Sequence, residues 1–154
     1  LSLPYSKLEI EKYTTREIVS KTMDMFSLKH QRIKVENHIP DEQIYVDETK
    51  FTLALRNLLD NAIKYSAANE VVDLIVTKKD NIEFQVKDSG IGISKENIQR
   101  LTEPFYQADQ TISTKGFGLG LTICKKIIEF HKGKLTIESE KEKGSCFVLN
   151  LPTN

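Results

Sequence analysis

The stretch Leu55-Arg56-Asn57-Leu58-Leu59-Asp60-Asn61-Ala62-Ile63-Lys64-Tyr65 constrains the fold more than any other part of the chain. Wound as an α-helix at about 100° per residue, it sets Phe51, Leu55, Leu58, Leu59 and Ala62 on one side. Asn57, Asp60, Asn61 and Lys64 fall on the other, within an arc of about 100°. The apolar side must be buried. The polar side is unusual, because a solvated helix face is ordinarily Lys and Glu, and Asn is a poor helix former. Two asparagines one turn apart and a lysine one turn on suit either a hydrated metal ion with phosphates or a plain outer face built from weak helix formers. The helix alone does not choose between them.

The rest of the composition narrows the field. Lys+Arg and Asp+Glu number 22 each, so the formal net charge is zero. With no basic block and little aromatic interleaving, a nucleic-acid surface is not suggested. A chain of 154 residues with 39% hydrophobic content suits one ordinary globular domain with a sizeable core. No apolar run approaches the roughly 20 residues a bilayer span requires, and no signal peptide is visible. The chain opens on Leu1 rather than Met and reads as a fragment. Cys124 and Cys146 lie in apolar contexts without zinc spacing, which fits buried free thiols in a cytosolic setting.

In chain order, residues 1–12 read as a linker or the tail of a preceding element. Thr14-Thr15 can cap a helix with Ile18, Val19, Met23 and Phe26 inward. Residues 32–39 alternate as a strand, with Ile33 and Val35 against Lys34 and Glu36, and Pro40 ends it. Residues 44–46 form a short strand, and Asp47 is a good N-cap for the long helix. Residues 70–77 and 82–88 are two strands. In the second, Ile82, Phe84, Val86 and Asp88 share one face, so a carboxylate stands in line with three core residues and must be paired or used.

Two glycine-rich segments follow. Asp88-Ser89-Gly90-Ile91-Gly92-Ile93 permits a tight turn and close approach of a ligand to the backbone. Asp88 itself is either a paired structural carboxylate or an acceptor for a ligand amine. Residues 105–115 are mostly small and polar, a loop expected to be mobile. Gly116-Phe117-Gly118-Leu119-Gly120-Leu121 then opens a helix apolar on most sides, with Gly133 as its C-terminal cap. The glycines there serve either as a flexible connector or as a phosphate cradle, since amides at a helix N-terminus point outward and carry partial positive charge. The spacing is not that of a dinucleotide fold, and there is no Gly-Lys-Ser/Thr phosphate loop. Residues 134–138 and 145–151 make a closing hairpin.

The order of these pieces resembles the ATP-binding fold shared by gyrase, mismatch-repair ATPases and sensor histidine kinases. It is most similar to the catalytic domain of the kinases. Asn57-Leu58-Leu59-Asp60-Asn61-Ala62-Ile63-Lys64-Tyr65 resembles the N box, and Asp88-Ser89-Gly90-Ile91-Gly92-Ile93 the G1 box. Glu103-Pro104-Phe105-Tyr106 is similar to the F box, and Gly116-Phe117-Gly118-Leu119-Gly120-Leu121 to the G2 box. The closing strand, from Gly144-Ser145-Cys146-Phe147 to Leu151-Pro152, also fits. Four ordered boxes are far more specific than any one.

The resemblance implies an α+β fold: a two-layer α/β sandwich with a mixed, mostly antiparallel sheet of about five strands and three main helices on one face. It implies a catalytic domain over residues 14–154, with a lid at about 94–117. Residues 1–13 would be a linker or the tail of a helical dimerisation domain. It implies ATP and Mg²⁺ as cofactors. Asp88 would take the adenine amino group and Asn61 the metal. Asn57 and Lys64 would face the phosphates, Lys64 neutralising them, and Tyr65 would pack near base or ribose. Gly90, Gly92 and Ile93 would border the nucleotide. Phe105 would anchor the lid, and Gly116, Gly118, Leu119, Gly120 and Leu121 would line the phosphates. The implied partners are an upstream phosphoacceptor and dimerisation domain and a response regulator, in a homodimeric, membrane-anchored parent whose kinase domain is cytoplasmic. The isolated domain would be a monomer.

Two departures stand out. The lid arginine common in the family is missing from Gln110-Thr111-Ile112, leaving Lys115 as the positive charge on hand. None of His30, His38 and His131 has the phosphoacceptor context. The alternatives are another ATPase of the superfamily, an anti-sigma-type serine kinase, or a nucleotide-binding relay without catalysis.

Overall fold

A computed structural model describes residues 7–26, 32–66, 70–90, 117–140 and 143–153, with the backbone alone for 65, 117–120 and 140. The expected lid, apart from Phe117 at the start of a helix, and the F box lie outside the described residues. Two layers are present. One is a five-stranded sheet in the order β2-β4-β5-β7-β6, formed by Ile33–Asn37, Val72–Lys78, Ile82–Asp88, Gly144–Leu151 and Lys134–Glu140 respectively. Its β2–β4 pair is parallel and the others antiparallel. The other layer comprises α1 (Thr15–Met23), α2 (Glu48–Tyr65) and α3 (Phe117–Phe130). The mixed sheet and three helices are those the family resemblance implies.

The apolar face of the sheet and the apolar side of α2 form the core. Leu74, Val76, Phe84, Val86 and Leu149 are fully buried, as are Phe51, Leu55 and Leu59 opposite them. Each such side chain is worth about 1.5–3 kcal/mol relative to exposure. Ala54 and Ile63 widen the buried arc of α2 beyond the five positions expected, because α3 packs along its flank. Val35, expected to share the inward face with Ile33, is exposed, because β2 is an edge strand.

The N-terminal segment departs from expectation. Residues 10–12, read as linker, belong to β1 (Ile10–Thr14), which pairs antiparallel with β3 (Gln43–Asp47) in a separate two-stranded sheet. Ile10-Glu11-Lys12 is exposed throughout, so backbone hydrogen bonds rather than an apolar pattern hold it. Thr14 ends β1 and caps α1 with a reciprocal box: its Oγ1 accepts from Glu17 N at 3.2 Å, and its N–H donates to Glu17 Oε1 at 2.8 Å. Phe26 is buried as expected, but from the turn after α1, which ends at Met23.

The end of α3 also differs in detail. Gly133 was expected to be its C-terminal cap. The left-handed residue is Lys132, at φ 62°. Lys132 N–H donates to Glu129 O (2.9 Å) and Gly133 N–H to Ile128 O (2.8 Å), the two bonds of a Schellman motif with His131 at the cap. Gly133 is required for space: a Cβ there would sit 2.1 Å from Asn150 O. Gly133→Ala is therefore expected to cost about 2 kcal/mol or more, while Lys132→Gly is expected to stabilise by roughly 0.5–1 kcal/mol by relieving a strained backbone. Urea unfolding of the two variants checks both signs.

Candidate functional site

Three fixed contacts place the site. Phe51 on α2 meets Phe84 on β5 edge to face, with ring centroids 5.1 Å apart. His131, at the far end of α3, shares one groove with Ile82 and Leu151, at the start of β5 and the end of β7. His131 Nε2 accepts from Asp47 N at 2.9 Å, which ties that same end to the start of α2. Helix α2 therefore runs in the same sense as β5. Asn61 lies about 15 Å beyond Phe51, and Asp88 about 13 Å beyond Phe84, so both reach one end of the sandwich.

Helix α3 runs antiparallel to α2. Asp47 meets His131, and seven residues along each helix Ala54 O receives Cys124 Sγ at 3.2 Å. The same count carries Asn61 to the level of Phe117, the first residue of α3. The amides of that first turn, and Gly118 and Gly120 with them, thus stand at the Asn61–Asp88 end. Helix α3 presents there the partial positive charge of a helix N-terminus.

The polar side of α2 is not a solvated face. Asn57, Asp60 and Asn61 are half-buried, and Lys64 is exposed. Lys64 Nζ lies 3.4 Å from Asp60 Oδ2, which steers the ammonium along the helix. Asn57 Oδ1 accepts only a long contact from Arg56 Nη2, at 3.4 Å. Asn61 Nδ2 is buried and has no hydrogen-bond partner among the described residues. Its polar capacity is therefore available to a ligand, since a buried amide left unpaired costs about 1–3 kcal/mol.

Asp88 is the other organised group. Its Oδ1 accepts from Gly90 N at 2.8 Å, and the Ser145 backbone N–H lies near enough to favour the charged form. Burial pushes its pKa up, the two amides pull against that, and the Glu70 carboxylate adds to the rise. The charged form is thus poorly solvated but held in one orientation, a good acceptor for an N–H donor.

The residues proposed from the sequence divide clearly. Asn61, Asp88, Gly90, Gly118 and Gly120 come to one end of the sandwich, with Asn57 and Lys64 on the same helix as Asn61. Leu121 is fully buried, so it supports the first turn of α3 from beneath. Only the backbone of Tyr65 and Leu119 is described. Gly92, Ile93, Phe105, Lys115 and Gly116 lie outside the described residues. Cys124 is buried as expected, its thiol pushed up to about 12, whereas Cys146 is only half-buried, in a cross-strand row with Lys87 and Glu138.

Sequence inspection missed Ser145 and Gly144. Gly144 has φ +95°, and a Cβ there would sit 2.1 Å from Asp88 O. This glycine lets β7 close against the strand end that carries Asp88. The turn it occupies was visible in the sequence, but its pairing with residue 88 is a long-range matter of register.

Comparison with known proteins gives the family and the fold. The family described as "Histidine kinase-, DNA gyrase B-, and HSP90-like ATPase" matches residues 46–154. The sensor protein RprX of Bacteroides fragilis is 34% identical, over 94% of this chain and 30% of its own length. The adaptive-response sensory kinase SasA of Gloeothece citriformis is 34% identical, over 88% of this chain and 35% of its own. The chain thus spans about a third of the length of these relatives. The solved catalytic domain of the histidine kinase ThkA, nucleotide-free, superposes with a TM-score of 0.79 at 28% identity, covering 94% of this chain and 97% of that one.

Gly144→Ala is expected to cost about 2 kcal/mol or more through backbone strain and the clash with Asp88 O. It is also expected to move the Gly90 amide resonance, because the Asp88 strand end must shift. Urea unfolding and a ¹H–¹⁵N spectrum check the two effects.

Proposed function

The chain belongs to the histidine kinase-, DNA gyrase B- and HSP90-like ATPase family, and from that premise we propose that it is the ATP-binding catalytic domain of a two-component sensor histidine kinase. The observation that carries the proposal is Asp88. It is a half-buried carboxylate, oriented by the Gly90 backbone amide, at the sheet end where Asn61 and the first turn of α3 also arrive. In this reading Asp88 accepts from the exocyclic amine of adenine, and the Gly90 turn lets the base approach. The triphosphate extends toward the amides of α3 at Gly118 and Gly120, bordered by Leu119 and supported by Leu121. Asn57 and Lys64 face it from α2, and Tyr65 packs near base or ribose. Gly92, Ile93, Phe105, Lys115 and Gly116 would complete the enclosure, with Lys115 in place of a lid arginine.

Mg²⁺ fits the donor set. Among the described residues no group of three or more His, Cys, Asp or Glu side chains offers a carboxylate cage. A cation here would share its coordination among the Asn61 amide oxygen, nucleotide phosphates and water, a pattern Mg²⁺ favours. The unpaired Asn61 Nδ2 is a donor and would meet a phosphate oxygen, leaving the amide oxygen for the cation. When bound, the cation would neutralise charge on the β- and γ-phosphates.

The chain's own residues would bind, orient and exclude water. An imidazole nitrogen of a histidine on an upstream helical domain attacks the γ-phosphorus in line. The bond to the β–γ bridging oxygen breaks, and ADP leaves with that electron pair. Catalysis would rest on positioning and charge neutralisation. The whole protein would be a homodimer that passes its phosphoryl group to a response regulator. No described helix is long and apolar enough to cross a membrane. A membrane anchor, with this domain in the cytoplasm, belongs to the proposal for the parent.

Asp88→Asn is expected to weaken MgATP binding roughly tenfold or more, because it sets a donor against a donor, while circular dichroism stays unchanged. Asn61→Ala is expected to abolish the Mg²⁺-dependent part of ATP binding without lowering the Tm, since it deletes a buried group with no partner. Titration calorimetry with and without Mg²⁺ checks both. Mixing the domain with ATP and a histidine-bearing helical hairpin is expected to give an acid-labile phosphohistidine. A phosphoserine, or Mg²⁺-dependent binding untouched by Asn61→Ala, would sink the proposal.

A further inference from the structure

His131 lies far from the nucleotide end, yet its ring joins the two helices that wall the site. Nδ1 lies 2.8 Å from Ile127 O, and a carbonyl can only accept. Nε2 lies 2.9 Å from Asp47 N, and a backbone N–H can only donate. The geometry therefore admits one form of the ring, neutral with the proton on Nδ1. His131 is the C-cap of α3, and Asp47 is the N-cap of α2, its side chain accepting from Lys50 N. One imidazole thus holds the cap of one helix to the cap of the other.

The surroundings keep the ring in place. It is 7% exposed and stands edge to face with Phe51, centroids 5.7 Å apart at 72°. The Asp47 carboxylate is occupied by Glu9 N (2.9 Å), Lys50 N (3.1 Å) and Lys50 Nζ (3.2 Å), so it is not free to follow a protonated ring. The charged groups facing His131 are Asp47, which favours the cation, and Lys50, which opposes it. Glu42, Lys78 and Lys132 share the adjoining groove, where Glu42 and Lys78 pair with each other at 3.0 Å. Burial, the largest influence, lowers the pKa of the ring and so agrees with the geometry.

We infer that His131 is a positioning residue for the nucleotide site, fixing α3 against α2 only while its Nε2 is unprotonated. Protonation would turn an acceptor into a second donor aimed at Asp47 N–H. With that tie lost, α3 is held to α2 by apolar packing and by the Cys124–Ala54 contact seven residues away, both nearer the nucleotide end. Rocking there moves the opposite end of the helix, the turn with Gly118 and Gly120. Nucleotide affinity is thereby coupled to a proton on a side chain the nucleotide does not touch. The inference rests on α2 and α3 being the walls of the nucleotide site.

The test compares MgATP affinity of the wild type and of His131→Gln and His131→Phe between pH 8 and pH 5.5. The glutamine oxygen retains an acceptor for Asp47 N–H but does not titrate. Taking the ratio of wild type to His131→Gln cancels the titration of ATP and of Asp88. That ratio is expected to fall roughly threefold to tenfold on acidification, the worth of one hydrogen bond. His131→Phe is expected to bind more weakly at every pH while remaining folded by circular dichroism. ¹⁵N spectra of the ring are expected to report the Nδ1–H tautomer. A constant ratio, or a ring protonated on Nε2 at pH 8, overturns the inference. If MgATP does not bind the wild type at pH 8, the nucleotide reading fails separately. The His131 link is then decided by amide exchange in the first turn of α3. The protection factor of those amides must fall on acidification in the wild type and not in His131→Gln.

Discussion

Everything at the candidate site depends on how one helix is rotated about its own axis. Phe51, Leu55 and Leu59 are fully buried against the sheet and α3, and Leu58 nearly so. Turning α2 by a single residue position, about 100°, would expose part of that arc at several kcal/mol. Burial therefore fixes where Asn57 and Asn61 point. The Phe51–Phe84 ring contact fixes where they lie along the sheet. Two asparagines that are poor helix formers can be carried here because the opposite side of the helix holds it in place.

The same helix is anchored at its start by a compact polar node. The Asp47 carboxylate gathers the Glu9 and Lys50 backbone amides and the Lys50 ammonium, while its own N–H meets His131. Burial opposes its charge, but these hydrogen bonds outweigh it and hold its pKa below the ordinary range. Its contribution to stability is present above the unfolded-state pKa and is lost as pH falls through the folded-state value. The buried neutral His131 acts in the same direction at higher pH. Its pKa is lowered on folding, so stability declines once pH drops below about 6.5, where the unfolded ring takes up a proton. Both groups therefore weaken the junction of α2, α3 and the N-terminal segment on acidification.

Much of this was legible in the chain because it is written locally. The sidedness of α2, the caps at Thr14 and Asp47, and the alternation that puts Asp88 in line with Phe84 and Val86 depend on spacings of a few residues. The ordered glycine boxes carried the family. What escaped were partnerships across the sequence. The segment that became β1 lacks an apolar pattern, and only its pairing with β3 defines it. Gly133 was legible as part of the C-terminal cap, but not the need for no Cβ beside Asn150, on another strand. Gly144 and Ser145 read as a closing hairpin, and nothing near them in the sequence points to Asp88, the residue they meet across the sheet. His131 bonds locally to the Ile127 carbonyl at the end of α3, but its second bond reaches back 84 residues.

The two ends of the α2–α3 pair differ in how their polar groups are used. At the Asp47–His131 end, both ring nitrogens, the N-cap amide and the capping carboxylate are all engaged. At the other end, Asn61 Nδ2 and Ser66 Oγ are buried without partners among the described residues, and Asp88 carries a charge that burial disfavours. The pH dependence has opposite sign there. A carboxyl whose pKa is raised on folding contributes stability below its unfolded-state value and loses it as pH rises through the folded-state value. At neutral pH the fold therefore bears a cost at Asp88 that the Asp47 node helps offset. A ligand that donates to Asp88 and pairs with Asn61 would recover part of that cost on binding, because groups already desolvated and oriented need little further reorganisation. The stability given up at one end of the sandwich is thus the physical source of affinity there, and the Asp47–His131 junction at the opposite end helps the chain to fold while carrying it.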